Sequence, residues 1–143
     1  MGTDCRLSFE VFKNLFQCLI RIIATGLLEA GLREEAAHIA LQTVRTFNGN
    51  YAEFISPSTG EGHGVLRYGW SASEYIHLIV EVLFGIRYDA VTDTVTVTPC
   101  MPRELDGETV SIGNLSVGDK YLHVTVKCGE EQEVAYRLTS SEE

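Results

Sequence analysis

Tyr51-Ala-Glu-Phe-Ile-Ser-Pro-Ser-Thr-Gly-Glu-Gly-His-Gly64, closely followed by Gly69-Trp-Ser-Ala-Ser-Glu-Tyr75, is the stretch on which the fold turns. It is a glycine-rich loop with two carboxylates and a histidine, running into a helix start. Glycine lets backbone approach a ligand closely, and polar side chains on a loop serve binding better than packing. Ser71 and Glu74 have the spacing of a capping box, with Trp70 placed to staple against Tyr75. From that start, Ile76, Ile79, Val80 and Leu83 continue an apolar helix face that Gly85 closes.

Upstream, Phe12, Leu15, Phe16, Leu19, Ile20, Ile23 and Leu27 recur at helical spacing, and Ile22 and Leu28 widen the stripe. The segment from Leu15 to Leu28 contains Gln17, Arg21 and Thr25 and falls short of the roughly 20 apolar residues a membrane span needs. It reads as a buried helix covered on more than one side. Gly31 stops it. A second helix follows from Arg33, with Ala36, Ala40, Val44 and Phe47 inward, ending at Asn48-Gly49.

Downstream of Gly85 the period changes to two. Thr94 to Thr98 alternates strictly and stops at Pro99. Val110 and Ile112, then Leu115 and Val117, then Leu122, Val124 and Val126, then Val134, Tyr136 and Leu138 repeat the alternation. Gly113-Asn114, Gly118-Asp119 and Cys128-Gly129 supply turns, and the polar tail from Thr139 to Glu143 reads as frayed. The class is α+β: three helices over 1–85 carrying a Gly-rich loop at 48–70, then a small antiparallel, sandwich-like β-domain over 86–143. Three helices, the first apolar nearly all round, predict exposed apolar area and self-association through that face.

Composition narrows the function classes. The formal net charge is -9, with 11 Lys and Arg against 20 Asp and Glu and no basic cluster, so a nucleic-acid partner is not expected. Cys5, Cys18, Cys100 and Cys128 lack metal-ligand or disulfide-framework spacing. They read as thiols of a reducing, cytoplasmic setting, with no metal site and no cofactor. Gly60, Gly62 and Gly64 lack the preceding strand and following Lys-Ser/Thr of a phosphate loop. His38 and His77 read as satisfied helix histidines, and His123 lies on the outer face of its strand.

The order of helix pair, Glu-containing loop, Gly69-Trp-Ser-Ala72 helix opening and β-domain resembles the end of an (α/α)6-barrel, or six-hairpin, glycosidase. Glu53-Phe-Ile-Ser-Pro-Ser-Thr-Gly60, with Gly62 and Gly64, is similar to the loop of the glycoside hydrolase family 63, trehalase and mannosylglycerate hydrolase group, with Phe54-Ile55 where that group has Asn-Tyr. Leu83 to Asp89 and Val97 to Pro102 look like its barrel-to-sandwich junction. The resemblance covers residues 19 to 138. It implies a carbohydrate-metabolism hydrolase of inverting type acting on α-glucosidic or α-mannosidic bonds of an oligosaccharide or disaccharide. Glu53 would then be the general base, with Glu61, His63, Arg67 and Trp70 as substrate-binding residues. Inversion needs an acid and a base roughly 6.5–9.5 Å apart. The group's acid, an Asp of an earlier barrel loop, has no counterpart in this sequence, so the chain is expected to be a C-terminal fragment, inactive alone. An inverting disaccharide phosphorylase and a non-catalytic carbohydrate-binding module are the alternatives.

Overall fold

The computed structural model describes residues 15–47, 49, 51–56 and 59–140. The expectations for Phe12, Asn48 and residues 141–143 lie outside them. The chain is α+β, with a small antiparallel sheet among the helices and two further antiparallel sheets after them.

The first helix, α1, spans Gln17–Glu29, and α2 spans Arg33–Phe47. Leu15 and Phe16, expected in the first helix, form instead a short strand, β1, paired with β2 at Phe54–Ile55. β2 also pairs with β3 at Gly62–His63, giving a small sheet at the foot of the loop. Gly31 turns the chain between α1 and α2 with φ +80°. Ala36, Ala37 and Ala40 on α2 are fully buried, and their small size lets neighbouring backbone come close. α1 is not the buried helix its composition suggests. Ala24 is buried and Ile20 and Leu28 pack on the core, while Leu19, Ile22 and Ile23 face solvent, Ile22 at 59% exposure.

The third helix, α3, runs Gly69–His77 and continues as a π-helical segment over Leu78–Leu83. Its geometry overturns the expected capping box. Tyr68 occupies the N-cap position without a side-chain bond, and Ser71 lies inside the helix. Nor does Trp70 staple to Tyr75. The Tyr75 ring sits 5.2 Å from Phe47 and 5.5 Å from Tyr51, in a three-ring cluster at the root of the loop. The wide turn, closed by the Phe84 N–H donating to Ile79 C=O at 2.9 Å, adds a residue per turn and rotates the apolar face. Leu78, Val82 and Leu83 are the buried positions, while Ile76, expected inward, is exposed because the buried face of α3 is already set by Ser71 and Glu74.

The switch to strands is sharp. Gly85 has φ +59°, and a Cβ there would lie 2.0 Å from the Thr98 carbonyl oxygen, so only glycine fits the crossing. β4 (Ile86–Asp89) and β5 (Thr94–Val97) form a hairpin. Its loop is organised by Asp89, which accepts from the Val91 N–H and the Thr92 hydroxyl, both at 2.9 Å.

β6 (Thr109–Val117), β7 (Lys120–Lys127) and β8 (Glu133–Ser140) make a three-stranded sheet in chain order. Gly113-Asn114 is not a turn between two strands. It is an irregularity within β6 between Ile112 and Leu115, with Asn114 at φ 57°. The expected frayed tail also begins later, since Thr139 and Ser140 pair with Tyr121 and Lys120. Leu122, Val124 and Val126 of β7 join Ala37, Leu78 and Val82 of the helices in one buried cluster. The Arg33 guanidinium donates to Pro99 C=O at 2.9 Å, and the Arg103 N–H donates to Glu34 at 3.1 Å. Both bonds tie the start of α2 to the segment linking β5 and β6.

Candidate functional site

The glycine-rich loop is held at its base by backbone bonds. The Glu53 N–H donates to Val65 C=O at 2.9 Å, and the Tyr68 N–H donates to Tyr51 C=O at 2.8 Å. The buried Ser71 hydroxyl donates to Ala52 C=O at 2.8 Å. That last bond fastens the residue after Trp70 to the residue before Glu53, so segments 51–53 and 65–71 run side by side. Further out, Ser56 N–H donates to Glu61 C=O at 2.9 Å and Gly60 N–H donates to Ser56 C=O at 2.8 Å.

Glu53 is half-buried, and its Oε2 accepts from the Val65 N–H at 3.4 Å. Gly64, at φ +74°, makes room for it: a Cβ there would stand 2.7 Å from Glu53 Oε2 and 2.9 Å from the Phe54 ring. The carboxylate is thus seated on bare backbone. Glu61 is exposed and its N–H donates to the Thr59 hydroxyl at 3.2 Å. His63 is exposed opposite Phe54 in the β2–β3 pair, and Arg67 is exposed in the turn before α3. The loop brings Glu53 and Trp70 onto adjoining segments, and presents Glu61, His63 and Arg67 to solvent.

A group that sequence reasoning assigned elsewhere is Glu74. It is only 4% exposed. One carboxylate oxygen accepts from the Trp70 indole N–H at 3.1 Å, and the other accepts from Arg21 Nε at 2.5 Å. Trp70 itself is 58% exposed. The i, i+4 spacing of Trp70 and Glu74 was a usable signal. Arg21, 53 positions earlier, carried none.

Four hollows walled by described residues lie away from this loop. One of about 530 Å³ is bounded by Val95 and Val97 of β5, Leu122 of β7, and Val134, Tyr136 and Leu138 of β8. The others are walled by the α1–α2 turn with Gly85, by the outer sheet face around His123, and by β4 with β6. None of the four is lined by Glu53. His38 pairs with Glu104 through Nδ1, while His77 Nδ1, expected to be satisfied, is buried without a hydrogen-bond partner.

Among the described residues no three His, Cys, Asp or Glu side chains converge as a metal-ligand set. Cys100 and Cys128 are free and buried, and burial pushes both thiols upward in pKa. No described helix is long and apolar enough to cross a membrane. Comparison with family models, curated proteins and solved structures finds no match to this chain.

Proposed function

We propose that this chain is the C-terminal part of an inverting α-glycosidase of the (α/α)6-barrel kind, with Glu53 as the base that activates water. The observation that carries the reading is the seating of Glu53. It is half-buried, backed by the glycine at 64, and fixed on a segment bonded to the one that bears an exposed indole. A base must be held rigidly within reach of its water, and an aromatic face beside it is a natural rest for a sugar ring. The solvent-facing Leu19, Ile22 and Ile23 of α1 suit a helix that meets further barrel helices, or a second copy of the chain where those are lacking. The acid partner is an Asp supplied from outside these residues, and the substrate is a glucosyl or mannosyl oligosaccharide or disaccharide.

Glycosyl fluorides test the base by itself, because fluoride departs without being protonated. The 143-residue chain is expected to release fluoride from α-glucosyl or α-mannosyl fluoride with formation of the β-anomer, and to leave maltose nearly untouched. Glu53→Gln should lower the release about 10²–10⁴-fold. Release that Glu53→Gln leaves unchanged, formation of the α-anomer, or no release above the uncatalysed rate overturns the reading.

A further inference from the structure

Buried carboxylates are costly, and Glu74 is buried for a purpose other than capping, since α3 begins at Gly69 with no side-chain cap. Its two oxygens face two different groups, the Trp70 indole N–H at 3.1 Å and Arg21 Nε at 2.5 Å. Arg21 comes from α1, so the link joins α3 to α1. An indole that were merely a surface group would satisfy its N–H with water and need no such support. The only polar atom of the Trp70 side chain is instead engaged from below, while the residue remains 58% exposed. The rest of the indole is aromatic carbon.

We infer that Glu74 and Arg21 are positioning residues that hold the Trp70 indole as a stacking platform for a hexopyranose ring. The choice of a sugar as occupant rests on the proposed function; the clamp itself does not. A pyranose has one face of C–H groups and a rim of hydroxyls. The C–H face suits an aromatic plane, and the Ser71–Ala52 bond keeps the Glu53 segment alongside for the rim. A loose indole would have to be ordered at each binding event, so the clamp contributes affinity by removing that entropy cost.

Trp70 is the single tryptophan of the sequence, which makes its emission an unmixed reporter. Steady-state anisotropy of the full chain without ligand reads the clamp, and a maltose titration of the emission reads the platform. The wild-type chain should show a saturable emission change with maltose. Glu74→Gln leaves Arg21 partly in water, so the fold should survive, as far-UV circular dichroism will register. It should lower the anisotropy and raise the maltose midpoint about tenfold, near the effect of losing one ordered contact. Arg21→Met should do the same and Arg21→Lys should restore part of it; this pair decides the matter if Glu74→Gln does not fold. Unchanged anisotropy in folded variants overturns the clamp, and emission indifferent to maltose in the wild type overturns the platform. A maltose response that needs Glu74, combined with fluoride release indifferent to Glu53→Gln, sinks the hydrolase reading and leaves the platform standing. Glu53-dependent release beside a silent Trp70 does the reverse.

Discussion

Gly64 is the residue on which the seating of Glu53 depends. At φ +74° any side chain is strained, and a methyl group would meet the Glu53 carboxylate and the Phe54 ring within 3 Å. Gly64→Ala should therefore cost about 1–2 kcal/mol in urea unfolding, most of it backbone strain, because the carboxylate end can swing aside. The displacement matters more for chemistry than for stability: Glu53-dependent fluoride release should fall about 10²-fold, as misplacement of a catalytic group by an ångström commonly does. A variant with full release and normal stability would show that Glu53 does not need this seat. At this scale much of the loop was legible in the sequence. The glycines show in the sequence as turn residues, and Gly60 and Gly64 take positive φ. The duties of Ser71 and Glu74 did not show there, because each has a local partner pattern that imitates a cap, and the winning partners, Ala52 and Arg21, are distant in sequence. Once Glu74 is buried, leaving its carboxylate unpaired would cost more than forgoing a cap bond, so the guanidinium takes precedence.

Among the elements, the crossing at Gly85 is the tightest. Its Cβ position would overlap the Thr98 carbonyl at 2.0 Å, and both groups are backbone, which cannot swing away. Gly85→Ala should destabilise the chain by about 3 kcal/mol or more and lower the melting midpoint by about 10 °C. A midpoint within a degree or two of wild type would mean the crossing relaxes freely. The alternation over Thr94–Val97 and Lys120–Lys127 was visible in the sequence because each strand has one wetter and one drier face, whereas Val134, Tyr136 and Leu138 of β8 alternate in sequence yet are all exposed. β4 was not, since Arg87, Tyr88 and Asp89 are exposed and leave Ile86 as its one buried residue. β6 looked like two strands because Gly113-Asn114 has turn chemistry; its cross-strand partners on β7 resume pairing at Leu115 and hold the strand in one piece. The Gly113 position also explains the setting of His123, whose Nδ1 lies 2.5 Å from where a Cβ would stand.

The whole molecule has a core shared between helices and sheet, and that core carries a consequence for alkaline stability. Cys100 and Cys128 have pKa values raised by burial above the ordinary thiol value of 9.0. Below that value the thiols are neutral in folded and unfolded chains alike. As pH climbs through it, unfolded thiols ionise while folded ones stay protonated, so the unfolded state gains and stability falls. The raised Tyr88 group, bonded to Asp93, and the raised Lys127, bonded to Glu133, act in the same direction. Urea midpoints should accordingly decline from pH 8 to pH 10, and Cys128→Ala should flatten the decline; a slope unaltered by that substitution would exclude a contribution from the Cys128 thiol. Both thiols should also resist alkylation at pH 7.5 until urea is added.

The π-helical segment over Leu78–Leu83 has a bearing on all of this. In a regular helix each residue advances the azimuth by about 100°, and a widened turn absorbs one residue without that advance being used for packing. Trp70 sits at one end of this rod and the sheet is fastened to the other through Gly85. Removing a single residue from the π-helical segment would let the rod wind uniformly with the indole keeping its bearing to the strands, whereas removing one from the regular turns of Gly69–His77 would swing the indole by about 100°. The widened turn is where the rod tolerates a change in residue count without changing the compass heading of its far end.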